Sequence, residues 1–204
     1  APYASQIAPI FLEMVHTNEN LYPISKLNAS ESIAQLLKNV PNEMEQYSEE
    51  SMQLLVEQGT NCEDLSDICT VFSAFSILAR SNVPHEMLQI GTEKSVAILQ
   101  LDLPQIRNQG DENQDEDEGN DGNLDESVPI EYEAKKAVMN FINELIPVHP
   151  EVFSNNVGDF LDILVRHIVD CYEPETREMA VKTLATFAAV NLIESETVIK
   201  ELLD

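Results

Sequence analysis

The sequence RSNVPHE at residues 80–86 decides the fold, because related sequences recur along the chain with helix-like segments on both sides. KNVPNE stands at residues 38–43, and LIPVHPE stands at residues 145–151. The residue before a proline is disfavoured in the α region, whereas proline itself is tolerated in the first turn of a helix. Each copy therefore predicts a turn between two helices, and the chain is predicted to be a series of helical hairpins.

The spacing of these copies becomes regular when one segment is set aside. The shared valine recurs after 43, 65 and 42 positions, at Val40, Val83, Val148 and Val190. The long interval exceeds the others by 22 or 23 positions, and it contains a low-complexity segment from about residue 104 to residue 128. A period of about 40 to 47 residues is typical of HEAT and armadillo repeats. We therefore predict a repeat protein that carries one insert.

Apolar residues within each unit recur at three- and four-residue spacings, which is the pattern of an amphipathic helix. Before the insert they are Ile68, Val71, Phe72, Phe75, Leu78 and Ala79, and after it Ala134, Ala137, Val138, Phe141, Ile142 and Leu145. Helices are predicted over residues 3–16, 24–39, 42–58, 63–81, 84–102, 129–146, 150–171, 174–190 and 194–204. No segment shows the two-residue alternation of a strand.

The predicted fold class is all-α, a HEAT-repeat α-solenoid in which antiparallel helix pairs stack into a right-handed superhelix. Residues 1–103 are predicted to hold a partial first repeat and two helix pairs. Residues 104–128 are predicted to be a disordered, flexible acidic insert. Residues 129–204 are predicted to hold one full pair and a second, truncated pair.

The charge of the chain is strongly one-sided. Eleven Lys and Arg residues stand against 37 Asp and Glu residues, which gives a formal net charge of -26. The resulting field repels nucleic acid and anionic membranes, so we expect a basic protein partner and no direct contact with nucleic acid. No apolar stretch approaches the roughly 20 residues that a bilayer-spanning helix needs, so we expect no membrane insertion.

The cysteines and the first residues indicate whether the protein is intracellular or secreted. Cys62, Cys69 and Cys171 lack CxxC spacing, so we interpret them as reduced core residues of an intracellular protein. Residues 1–14 carry neither an initiator Met nor a basic run before an apolar core, so they favour a helix over a signal peptide. We expect the chain to be a fragment of a longer protein.

The acidic insert contains a run of carboxylates without a basic residue. They are Asp111, Glu112, Asp115, Glu116, Asp117, Glu118, Asp121, Asp125 and Glu126. Such a run repels itself and cannot bury apolar surface, which predicts a flexible loop between two repeats. It is either a solvated linker or an electrostatic arm that attracts, shields or competes with a Lys/Arg-rich partner. Asp115, Asp117 and Gly119 begin like an EF-hand loop, but the required glycine is displaced and no helix-borne Glu follows, so no calcium site is expected.

Motifs of catalysis are missing from the sequence. GxSxG, GxGxxG, the P-loop and HExxH do not occur, so the usual devices for nucleophiles, phosphates and zinc are absent. His16, His85, His149 and His167 are scattered, and we interpret them as surface or capping residues. Cys171 lies one helical turn after His167, a spacing that we attribute to packing. We expect no enzyme activity, no cofactor and no bound metal.

Twenty-eight carboxylates lie outside the acidic run, and those on the second helices of the predicted pairs are the candidate binding residues. They are Glu43, Glu49, Glu50, Glu57, Asp159, Asp162 and Asp170. Second helices line the concave side of a solenoid of this class, where partners bind. We predict that these carboxylates bind basic cargo; the alternative is that they are ordinary solubilising charges.

Two segments carry a resemblance to a known family. They are YEAKKAVMNFINELIPVHPEVF at residues 132–153 and VGDFLDILVRHIVDCYEPETREMAVKTL at residues 157–184. Helix pairs of this type, preceded by an insert of DEDE character, resemble the central part of karyopherin-β nuclear transport receptors. The likeness is greatest to the importins that carry ribosomal proteins and histones.

The resemblance implies a receptor that binds nuclear localisation signals, ribosomal proteins or histones on its inner face. For the full-length protein it implies release of cargo by the GTP-loaded Ran GTPase, contact with FG nucleoporins, and shuttling between cytoplasm and nucleus. The chief alternative is a HEAT scaffold that assembles a multiprotein complex unrelated to transport. A tubulin-binding array is disfavoured because tubulin, like this chain, is acidic.

Overall fold

The structure, a computed structural model, describes residues 3–16, 23–81, 83–101 and 128–193. The helices in these ranges are α1 (Ala4–His16), α2 (Pro23–Asn39), α3 (Pro41–Met44), α4 (Ser48–Asn61), α5 (Leu65–Leu78), α6 (His85–Leu99), α7 (Ile130–Leu145), α8 (Val157–Asp170) and α9 (Pro174–Ala189). Two 3-10 turns, Glu45–Tyr47 and Pro150–Phe153, precede α4 and α8. These residues contain no strand, and the predicted all-α class is confirmed.

The helices are arranged in two neighbouring rows. In the first row α2, α5, α7 and α9 pack against one another in that order. In the second row α4 packs against α6, and α6 packs against α8. Each second-row helix also contacts the first-row helix that follows it in the chain, and α1 lies against α2. The apolar faces that the sequence predicted are buried between these helices.

Six phenylalanines form two clusters in the core. Phe72 of α5 lies edge-on to Phe141 of α7, with ring centroids 5.4 Å apart, and Phe75 packs against both rings. The second cluster contains Phe153, Phe160 and Phe187, with centroids 5.5 to 5.6 Å apart. Aromatic pairs of this kind each contribute about 0.5–1.5 kcal/mol beyond their burial.

Two glycines in the second row lie directly against rings of the first row. A Cβ atom at Gly59 of α4 would stand 2.6 Å from Cζ of Phe75. A Cβ atom at Gly91 of α6 would stand 2.7 Å from Cε1 and Cζ of Phe141. Real Cβ atoms do not approach a ring so closely, so both positions need a residue without a side chain. A glycine in contact with a phenylalanine ring therefore joins α4 to α5 and, in the same way, α6 to α7.

Two predicted helices are wrong in extent. The helix predicted over residues 42–58 is divided by the 3-10 turn at Glu45–Tyr47, just after Met44, which is completely buried at the end of α3. The helix predicted over residues 150–171 begins only at Val157, because the 3-10 turn at Pro150–Phe153 carries the ring of Phe153 into the second aromatic cluster. The predicted helix 194–204 and the predicted acidic insert lie outside the described residues, apart from Val128.

The valine-proline sequences lie at junctions between helices, as predicted. Val40 is the N-cap of α3 and Pro41 is its first residue. Pro84 instead caps the N-terminus of α6, with φ -59° and ψ 142°. Pro84 therefore lies just outside α6 rather than in its first turn. Its extended backbone still separates α6 from the preceding helix, so the junction is where the sequence predicted it. No helix of the described residues is both long and apolar enough to span a bilayer.

Candidate functional site: an acidic groove in the second row

Cationic side chains cap the C-termini of all three second-row helices. Lys94 donates to the carbonyl of Cys62 after α4, at 2.8 Å, and Arg177 donates to the carbonyl of Cys171 after α8, at 2.9 Å. Lys135 of α7 is fully buried and donates to three carbonyls at the end of α6, those of Ile98, Leu99 and Leu101, at 3.3, 3.1 and 2.6 Å. A cation at this end of a helix satisfies unpaired carbonyls and offsets the negative end of the helix dipole.

Two further cations are held by carboxylates. Arg80 Nε lies 2.7 Å from Glu144, and Lys136 Nζ lies 2.9 Å from both Glu133 and Glu175. These two residues and the three capping residues are five of the eleven Lys and Arg residues of the chain, and all five interact with groups of the protein itself. The candidate carboxylates, described next, are exposed.

The predicted binding residues are all exposed. Glu43 lies on α3, Glu49, Glu50 and Glu57 lie on α4, and Asp159, Asp162 and Asp170 lie on α8. Because α6 lies between α4 and α8 in the second row, the structure does not bring these seven residues into one cluster. They form two groups on either side of α6.

An open groove lies where the start of α4 meets the start of α6. It encloses about 770 Å³ and is lined by Glu45, Ser48, Glu49, Met52, Gln53, Val56, Val83, Pro84 and Glu86. Three carboxylates thus line the groove together with the apolar side chains of Met52 and Val56, and the described residues of its lining include neither Lys nor Arg. Of the predicted residues only Glu49 lines the groove.

Glu45 and Glu86 are the groove residues that sequence reasoning missed. Glu86 stands three positions after Val83, just as Glu43 stands three positions after Val40, so the repeat itself contained the signal. Glu45 could not be placed from sequence, because its position depends on the 3-10 turn that interrupts the predicted helix.

The carboxylates near this groove lie at helix N-termini. Glu49 and Glu50 are in the first turn of α4, and Glu86 is in the first turn of α6. Negative charge is favoured there by the helix dipole, typically by about 0.3–1 kcal/mol. Asp170 differs, because it is the last residue of α8 and its charge opposes the dipole of its own helix.

The described cysteine and histidine side chains form no candidate metal site. No group of three or more His, Cys, Asp or Glu residues in these ranges is placed to hold a metal ion. Burial raises the pKa of the Cys69 thiol to about 11, so it is protonated at neutral pH. The interpretation of His167 as a surface or capping residue is wrong, because its side chain is buried within the core-facing side of α8. His167 and Cys171 bond to the backbone, at Ile163 and Glu173 respectively, rather than to each other.

Comparisons with known proteins returned no match to a protein-family model, to a curated protein or to a solved structure. The packing of the helices and the distribution of charge are therefore the observations from which function is inferred.

Proposed function

We propose that the chain is a HEAT-type scaffold without chemistry of its own, which binds a Lys/Arg-rich segment of another protein through its acidic second row. The observation that carries the proposal is the groove between α4 and α6, which Glu45, Glu49 and Glu86 line together with apolar side chains. In keeping with the family resemblance, the binding would serve nuclear import of a basic cargo such as a ribosomal protein or histone.

The recurrence of one junction supports a solenoid of repeats. Residues 62–64 join α4 to α5 and residues 171–173 join α8 to α9. Cys62 and Cys171 have nearly the same backbone angles, with φ -70° in both and ψ 119° and 126°. Each junction ends in a carboxylate, Asp64 or Glu173, that accepts backbone N–H groups of the next helix. Equal junctions with equal caps are expected when one unit is repeated along a stack.

The groove suits a lysine or arginine side chain. Its aliphatic stem would lie on Met52 and Val56, while its charged end would reach Glu49 or Glu86 at the rim. One exposed ion pair contributes only about 0.2–1 kcal/mol, so useful affinity requires several such contacts along a basic segment. The excess of carboxylates, with a formal net charge of -26, supports this function because it makes the outer field negative.

The remaining functional proposals come from the family resemblance. The full-length receptor would release cargo on binding the GTP-loaded Ran GTPase, would contact FG nucleoporins and would shuttle between cytoplasm and nucleus. The groove supports only the first part of this scheme, the recognition of a basic partner.

The test is the binding of a fluorescent lysine-rich peptide across a salt series. We expect binding at low salt that weakens steeply as salt rises, because exposed charges are screened within about 10 Å at 0.1 M. Replacing the groove carboxylates together, by Glu45→Gln, Glu49→Gln and Glu86→Gln, is expected to weaken binding at least about threefold.

A matched control changes the net charge equally at a distance from the groove. Glu63→Gln, Glu131→Gln and Glu178→Gln alter carboxylates at the α4–α5 junction and on α7 and α9. This variant is expected to bind nearly as well as the unaltered chain. Equal losses in both variants would show that only net charge matters, and no binding by the unaltered chain would overturn the proposed function.

A second candidate function, a scaffold that assembles a complex unrelated to transport, is favoured by a different groove. It lies between α1 and α2 and has a volume of about 590 Å³. Tyr3, Ile7, Phe11 and Leu36 line it on the apolar side, and polar residues such as Asn28, Glu31 and Gln35 complete the lining. A partner held there would bind through apolar contact, so its affinity would be nearly independent of salt.

A further inference from the structure

The groove between α1 and α2 has two unlike walls. The wall at α1 is apolar and includes Tyr3, Ile7 and Phe11, which recur at one-turn spacing. Tyr3 is 63% exposed and Ile7 is 38% exposed, so this wall is accessible to a partner. The opposite wall, on α2, is polar and consists of Asn28, Ser32, Gln35 and Asn39, again at one-turn spacing. Three of these four residues are exposed, Ser32 being half-buried.

The groove differs in charge from the groove between α4 and α6. Among its described lining residues Glu31 is the one charged side chain, and its Oε1 accepts a hydrogen bond from the Ser73 hydroxyl at 3.1 Å. The groove between α4 and α6 is lined by three carboxylates instead. A basic segment therefore gains little between α1 and α2, whereas an uncharged segment suits both walls.

The spacing of the polar wall is close to the repeat of an extended chain. Side chains three or four residues apart on a helix stand about 4.5–6 Å apart along its axis. In an extended chain every second residue recurs after about 6.6 Å, and its side chains alternate between two sides. From Asn28 to Asn39 the wall spans about 16 Å, which is the length of about five extended residues.

The polar wall also has the bonding groups that a main chain requires. An Asn or Gln side chain offers both donors and an acceptor, as a peptide group does. Asn39 Nδ2 donates to the backbone carbonyl and to Oε1 of Gln35, at 2.9 and 3.0 Å. These bonds leave the Oδ1 acceptor of Asn39 and the Nε2 donor of Gln35 available for a ligand, since no described residue engages them.

We propose that this groove binds an extended, uncharged segment of a partner protein. The main chain of the segment hydrogen-bonds to the polar wall of α2, and every second side chain is apolar and lies against Tyr3, Ile7 and Phe11 of the opposite wall. The inference rests on the second candidate function, whose partner it specifies, and it is independent of the basic partner proposed for the groove between α4 and α6.

The first test is an NMR titration of the full chain with an uncharged peptide of alternating threonine and valine. We expect shifts of the backbone amide signals of α1 and α2, with an affinity nearly independent of salt. Nuclear Overhauser effects transferred to the peptide should show that it is extended when bound. A peptide that is helical when bound, or shifts confined to other helices, would overturn the proposal.

The second test removes the hydrogen bonds and keeps the side chains of the peptide. Methylation of alternate main-chain nitrogens is expected to weaken binding at least about fivefold. Equal binding of the methylated and unmethylated peptides would overturn the proposal while leaving an apolar groove for the second candidate function. Binding of neither peptide would overturn both.

The third test alters the polar wall itself. Asn28→Ala combined with Gln35→Ala is expected to weaken binding of the unmethylated peptide at least about fivefold. The matched control, Asn61→Ala combined with Gln89→Ala, replaces exposed amides on α4 and α6 and should bind as the unaltered chain does. Equal effects of the two variants would contradict the proposal. So would dimerisation of the unaltered chain in sedimentation velocity that the Asn28→Ala and Gln35→Ala variant weakens, because a second copy would then fill the groove.

Discussion

Gly91 shows at the scale of a single residue how the two rows of helices are joined. It lies in the middle of α6, where glycine weakens a helix by about 1 kcal/mol relative to alanine. Glycine is nevertheless required here by tertiary packing, because the ring of Phe141 occupies the space that a side chain at residue 91 would fill. Phe72 and Phe75 hold that ring from other sides, so it has little freedom to move.

We predict that Gly91→Ala lowers the free energy of unfolding by about 1–2 kcal/mol, since the cost of overpacking exceeds the gain in helix propensity. Gly158→Ala is the matched control, because a Cβ atom at this exposed position of α8 meets no atom within 4 Å. It should leave stability unchanged or raise it by up to about 1 kcal/mol. Urea denaturation measures both, and a stabilising Gly91→Ala would contradict the packing described.

His167 is a second residue whose chemistry is set by its surroundings. It is buried, and its Nδ1–H donates to the carbonyl of Ile163 at 2.8 Å. Its Nε2 atom has no hydrogen-bond partner among the described residues. Burial, with smaller contributions from the charges of Lys135 and Arg166, lowers the pKa of His167 from 6.5 to about 4. The neutral imidazole is therefore the native form over most of the pH range.

This shift predicts a pH dependence of stability. Between pH 6.5 and pH 4 the unfolded chain binds a proton at His167 that the folded chain does not bind, so stability falls as pH falls. By pH 4 the loss should reach about 3 kcal/mol relative to pH 7. Because many carboxylates also titrate, the quantity to measure is the difference between the unaltered chain and His167→Gln at each pH. A difference that stays constant with pH would refute the buried neutral imidazole.

The candidate site could be predicted only in part from individual residues. The sequence identified Glu49 because charge off an apolar stripe must face solvent. It could not unite Glu49 with Glu86, since their proximity depends on how α4 packs against α6. It also grouped Asp159, Asp162 and Asp170 with Glu49, although α6 separates the two sets.

At the scale of elements, the C-terminal caps couple each second-row helix to a neighbour. Lys135 ties α6 to α7 through three carbonyls, and it does so at the point where the predicted insert begins. The ends of α6 and α7 are thereby held by a contact between described residues and not only by the intervening chain.

Lys135→Met should therefore destabilise the protein by about 2–4 kcal/mol. The substitution keeps an unbranched apolar stem but leaves the buried carbonyl of Leu99 and the part-buried carbonyl of Leu101 without this donor. Lys182→Met, at an exposed position of α9, is the control and should change stability by no more than about 0.5 kcal/mol. Chemical denaturation followed by circular dichroism distinguishes them, and equal effects would rule out a capping role for Lys135.

Helices were predictable where apolar periodicity continues without interruption. The expected bounds of α5, α6, α7 and α9 fall within a few residues of those observed, because each has a long buried face. The errors at residues 42–58 and 150–171 share one cause. In both places a 3-10 turn interrupts the predicted helix: Met44 is buried at the end of α3, just before the turn at Glu45–Tyr47, and Phe153 is buried within the turn at Pro150–Phe153. Helical periodicity cannot signal such a turn, because a 3-10 turn leaves nearly the same spacing of apolar residues.

At the scale of the whole molecule, the predicted insert is expected to be dispensable for folding. Excision of residues 108–127 should leave the free energy of unfolding within about 1 kcal/mol of that of the full chain, since loop closure entropy changes slowly with length. Lys135 and the packing of α6 against α7 remain intact in this variant. Thermal and urea unfolding followed by circular dichroism are the measurements, and a large loss of helicity would contradict the expectation.

The contact between Gly91 and Phe141 also has a consequence for heredity. Because the ring of Phe141 lies directly on the backbone at Gly91, neither position tolerates substitution alone. A larger residue at 91 would displace the ring, and a smaller one at 141 would open a void. Descendants of an ancestor with this arrangement should retain both residues or exchange them together, so the two positions are expected to coevolve.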